Sequence, residues 1–142
     1  MSLSTAALLN RLKGSKNFQF FVNESKDDFE GRSLSIILYK LCEERGLIPS
    51  DVIRNAQIER AYGHQIFNGR RNPSRDKLIQ LSLGLGLSLD ETQTLLKLAG
   101  KSMLYVKFER DAACMFGISR GMSVMEVQEL LASINIPLLG EN

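Results

Sequence analysis

The sequence has no tryptophan, one histidine, two cysteines and three prolines among its 142 residues. Cys42 and Cys114 are too few and too far apart for a disulfide framework, which favours a reducing, cytoplasmic compartment. Eleven glycines and three prolines are too few for an all-β protein with many turns. No apolar run approaches the roughly 20 residues that cross a bilayer, and no signal peptide opens the chain. We therefore expect a cytoplasmic protein with no membrane segment.

The composition is that of a folded protein, with 44% apolar and 24% charged residues. The net charge of +2 is unevenly distributed, because residues 32–101 carry an excess of four positive charges and residues 102–142 an excess of two negative charges. Such a local basic excess favours a surface for a polyanion. An uneven but merely solvated surface is the alternative. The basic residues of segment 54–77 are Arg54, Arg60, Arg70, Arg71, Arg75 and Lys77.

Helical spacing of apolar residues recurs along the chain and predicts an all-α fold of seven or eight short helices, with no internal repeat. Ser33 is expected to cap a helix that ends at Gly46, and Pro73-Ser74 to open another. Two Ser-x-x-Glu capping boxes begin at Ser88 and Ser123. The remaining predictions are helices at 4–12, 18–22 and 106–116, and a polar connection at 27–32.

Patterns typical of enzymes do not meet their structural requirements. The run 117–121 matches Gly-x-Ser-x-Gly, but that motif needs a preceding strand and a later histidine, whereas His64 comes earlier. The run 100–102 resembles the end of a phosphate-binding loop but lacks the upstream glycine. No cysteine or histidine spacing fits zinc. We predict no enzyme activity, no metal and no cofactor.

Two short helices, 51–56 and 60–67, are predicted around a turn at Gln57-Ile58. This arrangement is typical of a helix-turn-helix, whose second helix enters the DNA major groove. Ile66 and Phe67 are expected to face the core, and Gly63 to allow close helix approach. The predicted base contacts are Arg60, Ala61, His64 and Gln65. The predicted phosphate contacts are Ser50, Asn68, Arg70, Arg71, Ser74 and Arg75.

Residues 33–100 resemble the Cro/repressor-like (XRE) helix-turn-helix family, on the runs 52–58, 65–74 and 78–85. The resemblance implies a five-helix DNA-binding domain of a bacterial transcriptional regulator, typically a repressor that binds its operator as a homodimer. It implies double-stranded DNA as the partner, and no small-molecule effector is evident in the sequence. Residues 1–32 and 101–142 are expected to be helical extensions, the second of which packs on the core or oligomerises.

The chain departs from the usual family pattern at three places. Gln57 stands where glycine is usual in the turn, Gly63 stands where an apolar residue is usual, and Pro49-Ser50 replaces a phosphate-binding glutamine. These differences leave open a second hypothesis, in which the same helical fold binds a protein partner instead of DNA.

Overall fold

The structure, a computed structural model, describes residues 3–25 and 30–140. These ranges contain nine α-helices and no strand, so the predicted all-α class is confirmed. The helices are α1 (Thr5–Gly14), α2 (Phe18–Glu24), α3 (Glu30–Glu44), α4 (Pro49–Asn55), α5 (Arg60–Phe67), α6 (Arg75–Leu85), α7 (Leu89–Leu98), α8 (Glu109–Ser119) and α9 (Val124–Ser133).

Most helix ends follow local capping chemistry. Ser74 accepts a hydrogen bond from Lys77 N at the start of α6, and both predicted capping boxes are formed, at Ser88 and at Ser123. Gly46 adopts the predicted left-handed conformation after α3, with φ 63°. These ends were predictable because each depends on residues within one turn of the boundary.

Several predicted boundaries differ from the structure. The helix α3 begins at Glu30, so Ser33 lies inside it and is not its cap. Part of the expected polar connection, residues 27–29, lies outside the described residues. The helix α4 spans Pro49–Asn55 instead of 51–56. The helix α8 begins at Glu109 instead of 106, because the carboxylate of Asp111 accepts from Tyr105 N and holds the preceding segment as a connector.

The core is continuous from α3 to α9 and is built of aliphatic side chains such as Leu38, Ile53 and Leu96. The helix α4 lies between α5 and α6, and glycines set both contacts. A Cβ on Gly63 would lie 2.4 Å from Cγ2 of Ile53, and one on Gly84 would lie 2.8 Å from the carbonyl oxygen of Val52. A side chain at Gly84 would therefore require the α4 backbone to shift, and one at Gly63 would require the Ile53 side chain to move.

The turn between α4 and α5 contains a residue in an unfavourable backbone conformation. Gln57 has φ 56°, in the left-handed region that favours glycine, and its side chain is exposed. We expect Gln57→Gly to raise the free energy of unfolding by about 1 kcal/mol, because it relieves steric cost at this position. Urea denaturation would measure it. A loss of stability would instead mean that the Gln57 side chain makes a stabilising contact.

The last four helices form an internal repeat that the sequence analysis missed. A shift of 35 positions superposes 71–105 on 106–140 and places the bounds of α7 exactly on those of α9. The left-handed residues after α6 and α8, Gly86 and Gly121, are also equivalent. Nine aligned pairs are identical: 75/110, 76/111, 86/121, 88/123, 91/126, 93/128, 95/130, 96/131 and 104/139.

The two halves of this repeat hold each other through reciprocal ion pairs. Arg75 donates to both carboxylate oxygens of Asp111 at 3.0 and 2.8 Å, and Arg110 donates to both oxygens of Asp76 at 2.9 and 2.8 Å. Each arginine also donates to backbone carbonyls at equivalent positions, Arg75 to residues 102 and 103 and Arg110 to residues 137 and 138. Reciprocal contacts of this kind indicate an approximate twofold relation.

A second pair of equivalent contacts fixes the segment that follows α7 and the segment that follows α9. The amide of Gln93 both donates to and accepts from the backbone of Leu104, and the amide of Gln128 does the same with Leu139. Leu104 and Leu139 are both buried. The domain boundary expected at residue 100 therefore lies inside the first half of the repeat, ahead of Leu104.

Candidate nucleic-acid interface

The helix α5 has one buried face and one accessible face. Its eight residues span about 12 Å along the axis. Gly63, Ile66 and Phe67 are buried, as the sequence predicted. The hydroxyl of Ser35 in α3 donates to the carbonyl oxygen of Phe67 and fixes the C-terminal end of the helix. Four residues were predicted to contact bases. Arg60 and Ala61 are exposed, and His64 and Gln65 are half-buried.

A carboxylate closes the N-terminus of α5. Glu59 is the N-cap, and its side chain accepts hydrogen bonds from Tyr62 N at 2.7 Å and from Ala61 N at 3.1 Å. These two bonds hold the pKa of Glu59 below its ordinary value, so the group is ionised at neutral pH. Its charge occupies amides that would otherwise be available to a phosphate.

The start of α4 and the start of α5 border one surface groove. Ser50, Arg54 and Arg60 line it, above the apolar side chains of Ile53 and Ile58. Arg54 pairs with Asp51 at 2.7 Å, and both side chains are well exposed. Arg60 has no acidic partner among the described residues. The structure therefore brings the predicted residues Ser50 and Arg60 together and adds Arg54, to which the sequence analysis gave no role.

Two arginines lie beyond the other end of α5. The Nε of Arg71 donates to Oε1 of Gln65 at 3.0 Å, and its guanidinium carbon lies 5.5 Å from the centre of the Tyr62 ring. The backbone amide of Arg70 is held by the carbonyl of Gln65 and by the side chain of Asn68. The side chain of Arg70 is exposed and has no acidic partner among the described residues.

The contact between Arg71 and Gln65 orients a side-chain amide. Because the carboxamide oxygen accepts from Arg71, the amino group of Gln65 is directed away from the loop. The oxygen retains a second lone pair, so the amide is still able to donate to adenine N7 and accept from adenine N6. Tyr62, which is half-buried, supports Arg71 from below through its ring face.

The structure separates two of the predicted phosphate contacts from this surface. Within the described residues, the Arg75 guanidinium makes only internal contacts, to Asp111 and to the carbonyls of Ser102 and Met103. Ser74 is half-buried and accepts from Lys77 N as the cap of α6. The reason is the C-terminal half of the repeat, which packs against the start of α6 through Arg110 and Gly140.

The candidate interface thus comprises the outer face of α5 with an arginine group at each end. Its members are Ser50, Arg54, Arg60, Ala61, His64, Gln65, Asn68, Arg70 and Arg71. Elsewhere in the described residues, no three histidine, cysteine or acidic side chains are grouped to hold a metal ion. No described helix is long and apolar enough to cross a membrane.

Comparison with known proteins finds no significant match: no family model, no curated protein and no solved structure is similar to this chain.

Proposed function

We propose that this protein is a sequence-specific DNA-binding regulator of the repressor-like helix-turn-helix type, in which α4 and α5 form the helix-turn-helix. The observation that carries the proposal is the two-faced character of α5. One face is fixed to the core at Gly63, Ile66 and Phe67, and the other presents donors and acceptors of the kind that read base edges. The helix would enter the major groove, which is about 12 Å wide.

The basic residues divide into two roles. Arg60 and Gln65 project from α5 and would contact bases, as guanidinium and carboxamide groups pair with guanine and adenine respectively. Arg54, Arg70 and Arg71 lie beside the helix and would bind phosphates, which fixes the register of the protein on the duplex. Arg75 has no part in this interface because it pairs with Asp111.

A homodimer would place two such helices about one turn of DNA apart, roughly 34 Å, on a palindromic site. The alternative function is a protein-binding module on the same fold, with α5 as the docking helix. Under that alternative the protein would bind no duplex, and replacing Arg60 would change the affinity for a protein partner only.

Selection of duplexes from a random pool, followed by anisotropy titration over a range of salt concentrations, tests the proposal. We expect a preferred sequence to emerge, and the logarithm of the binding constant to fall linearly with the logarithm of salt concentration. We expect Arg60→Ala to weaken binding to the selected duplex by about 5- to 150-fold, equivalent to roughly 1–3 kcal/mol, and to relax preference at one base pair.

Lys97→Ala is the matched control, because Lys97 is an exposed cation in the last turn of α7. It should leave both affinity and preference unchanged. Failure to bind any duplex at low salt would contradict the proposal, as would an Arg60→Ala variant that weakens scrambled and selected duplexes equally.

A further inference from the structure

The outer face of α8 carries apolar side chains that the described residues cover only in part. Phe108 precedes the helix and is 63% exposed, and Phe116 within it is 42% exposed. The members of this face follow the spacing of one helix side, and we call them the α8 stripe. The α8 stripe consists of Phe108, Ala112, Met115, Phe116 and Ser119.

The repeat shows that the equivalent face of α6 is a packing face. Leu81, which corresponds to Phe116, is completely buried, and Gly84, which corresponds to Ser119, lies against the backbone of α4. The first half of the repeat thus uses this face to pack a helix. In the second half, no described helix packs on the same face of α8, although the face carries aromatic and small side chains suited to close packing.

Two opposite charges stand at the ends of the α8 stripe. Glu109 and Arg120 are both exposed and are eleven positions apart, which on a helix places them in nearly the same direction but about 16 Å apart along the axis. They are therefore too distant to pair within one copy. Neither has an ion-pair partner among the described residues, and the guanidinium of Arg120 lies 3.7 Å from the centre of the Phe116 ring.

We propose that α8 packs antiparallel against α8 of a second copy of this chain, around a twofold axis perpendicular to both helices. In that arrangement the N-terminal end of one helix meets the C-terminal end of the other. Glu109 of each copy then faces Arg120 of the other along the same edge, so both charges gain a partner. The two α8 stripes become buried between the copies, and Ala112 and Ser119 permit close approach of the helix axes.

The neighbouring connector extends this surface. Tyr105 and Val106 are 48% and 63% exposed, and the Tyr105 ring stands edge-on to Phe108 with centroids 5.1 Å apart. Two helices of this length bury less surface area than a stable dimer interface needs, so the aromatic side chains of the connector are required to enlarge the buried area. The proposal does not depend on DNA binding, but a twofold dimer is the form that would present two α5 helices to a palindrome.

Charge reversal tests the proposal directly in the full-length chain. Sedimentation velocity over a broad concentration series should show a concentration-dependent dimer for the unaltered protein. We expect Glu109→Arg and Arg120→Glu each to raise the dimer dissociation constant by at least about tenfold, because each replaces two attractions with two repulsions. The double variant should restore dimerisation, and an equimolar mixture of the two single variants should form heterodimers.

Lys97→Glu is the matched control, a charge reversal on the exposed surface of α7 that should leave the dissociation constant unchanged. Thermal melts followed by circular dichroism would verify that every variant folds. The proposal is overturned if the protein is monomeric at all concentrations, if single reversals leave the dimer intact, or if the double variant dimerises no better than the single ones. A protein that dimerises as expected but binds no DNA would contradict the proposed function and would leave the dimer proposal intact.

Discussion

Replacing both Arg70 and Arg71 by alanine is expected to weaken binding to a scrambled DNA duplex by about 100-fold at moderate salt, and to weaken binding to the selected duplex at least as much. A hydrogen bond between a guanidinium and a charged acceptor contributes roughly 1.5 kcal/mol or more, and each 1.4 kcal/mol is a factor of ten. Two lost phosphate contacts should also reduce the salt slope by about 1.8, since each contributes about 0.9. Anisotropy titrations of selected and scrambled duplexes measure both quantities.

The structure assigns the two arginines different secondary effects. The Arg70 side chain has no hydrogen-bond or ion-pair partner among the described residues, so Arg70→Ala should lower affinity uniformly. Arg71 holds Oε1 of Gln65, so Arg71→Ala should in addition relax the base preference contributed by Gln65. Lys97→Ala, on the exposed surface of α7, is the control for a lost exposed cation. A double variant that keeps the original salt slope would show that the loop does not contact phosphates.

Local chemistry in the sequence was sufficient to place many helix ends but not the connections between distant elements. The capping boxes at Ser88 and Ser123 were predictable because donor and acceptor lie three residues apart. The start of α8 was not predictable in this way. Val106 and Phe108 are apolar and were included in the predicted helix, but both are exposed, and the bond from Tyr105 N to Asp111 holds their segment as a connector before the helix. Periodicity alone does not distinguish a buried stripe from an exposed one.

The repeat escaped sequence reasoning for a related reason. Its nine identities are spread over 35 positions in runs of no more than two, and their meaning emerges only when Arg75 is seen to bind Asp111 and Arg110 to bind Asp76. Those pairs connect residues 34 to 36 positions apart, beyond any helical or turn pattern. This is also why Arg75 was predicted from its neighbours to bind phosphate, although the structure places its guanidinium on an internal carboxylate.

The candidate site was predictable to the extent that one helix defines it. The accessible face of α5 follows from where Ile66 and Phe67 must be buried, and that deduction needs only the helical period. The groove that joins Ser50 and Arg54 to Arg60 depends on how α4 crosses α5, which the close approach at Gly63 determines. Such crossings are fixed by packing rather than by sequence spacing.

Asp111→Ala is expected to lower the free energy of unfolding by about 3 kcal/mol, at the lower end of the range for a broken buried ion pair. Asp111 is 5% exposed and its carboxylate bonds to Arg75 and to Tyr105 N, so its removal leaves the guanidinium without its principal acceptor and releases the connector. We expect the loss of stability to be no larger because the Arg75 side chain keeps 24% of its surface in solvent, where water solvates the unpaired charge. Chemical denaturation at neutral pH measures the loss.

The twofold relation makes Asp76→Ala the matched variant, with a loss of similar size, because Asp76 bonds to Arg110 and to Gly140 N in the equivalent way. A loss below about 1 kcal/mol for either variant would show that the reciprocal pairs do not hold the halves together. Replacing Arg75 and Asp111 together by Met and Leu should be less damaging than Asp111→Ala, since no charge is then left unpaired.

The same pairs predict how stability responds to acid. The hydrogen bond from Arg110 holds the pKa of Asp76 below its ordinary value, and for Asp111 the opposing effect of burial is outweighed by the bonds from Arg75 and Tyr105 N. Because both pKa values are lower in the folded chain, the stabilisation is complete above the unfolded-state value, about pH 4, and is lost as pH falls below it. Denaturant midpoints measured between neutral pH and pH 3 should therefore fall less steeply for Asp111→Ala than for the unaltered protein, since the variant has one fewer carboxylate whose protonation breaks a contact between the two halves of the repeat.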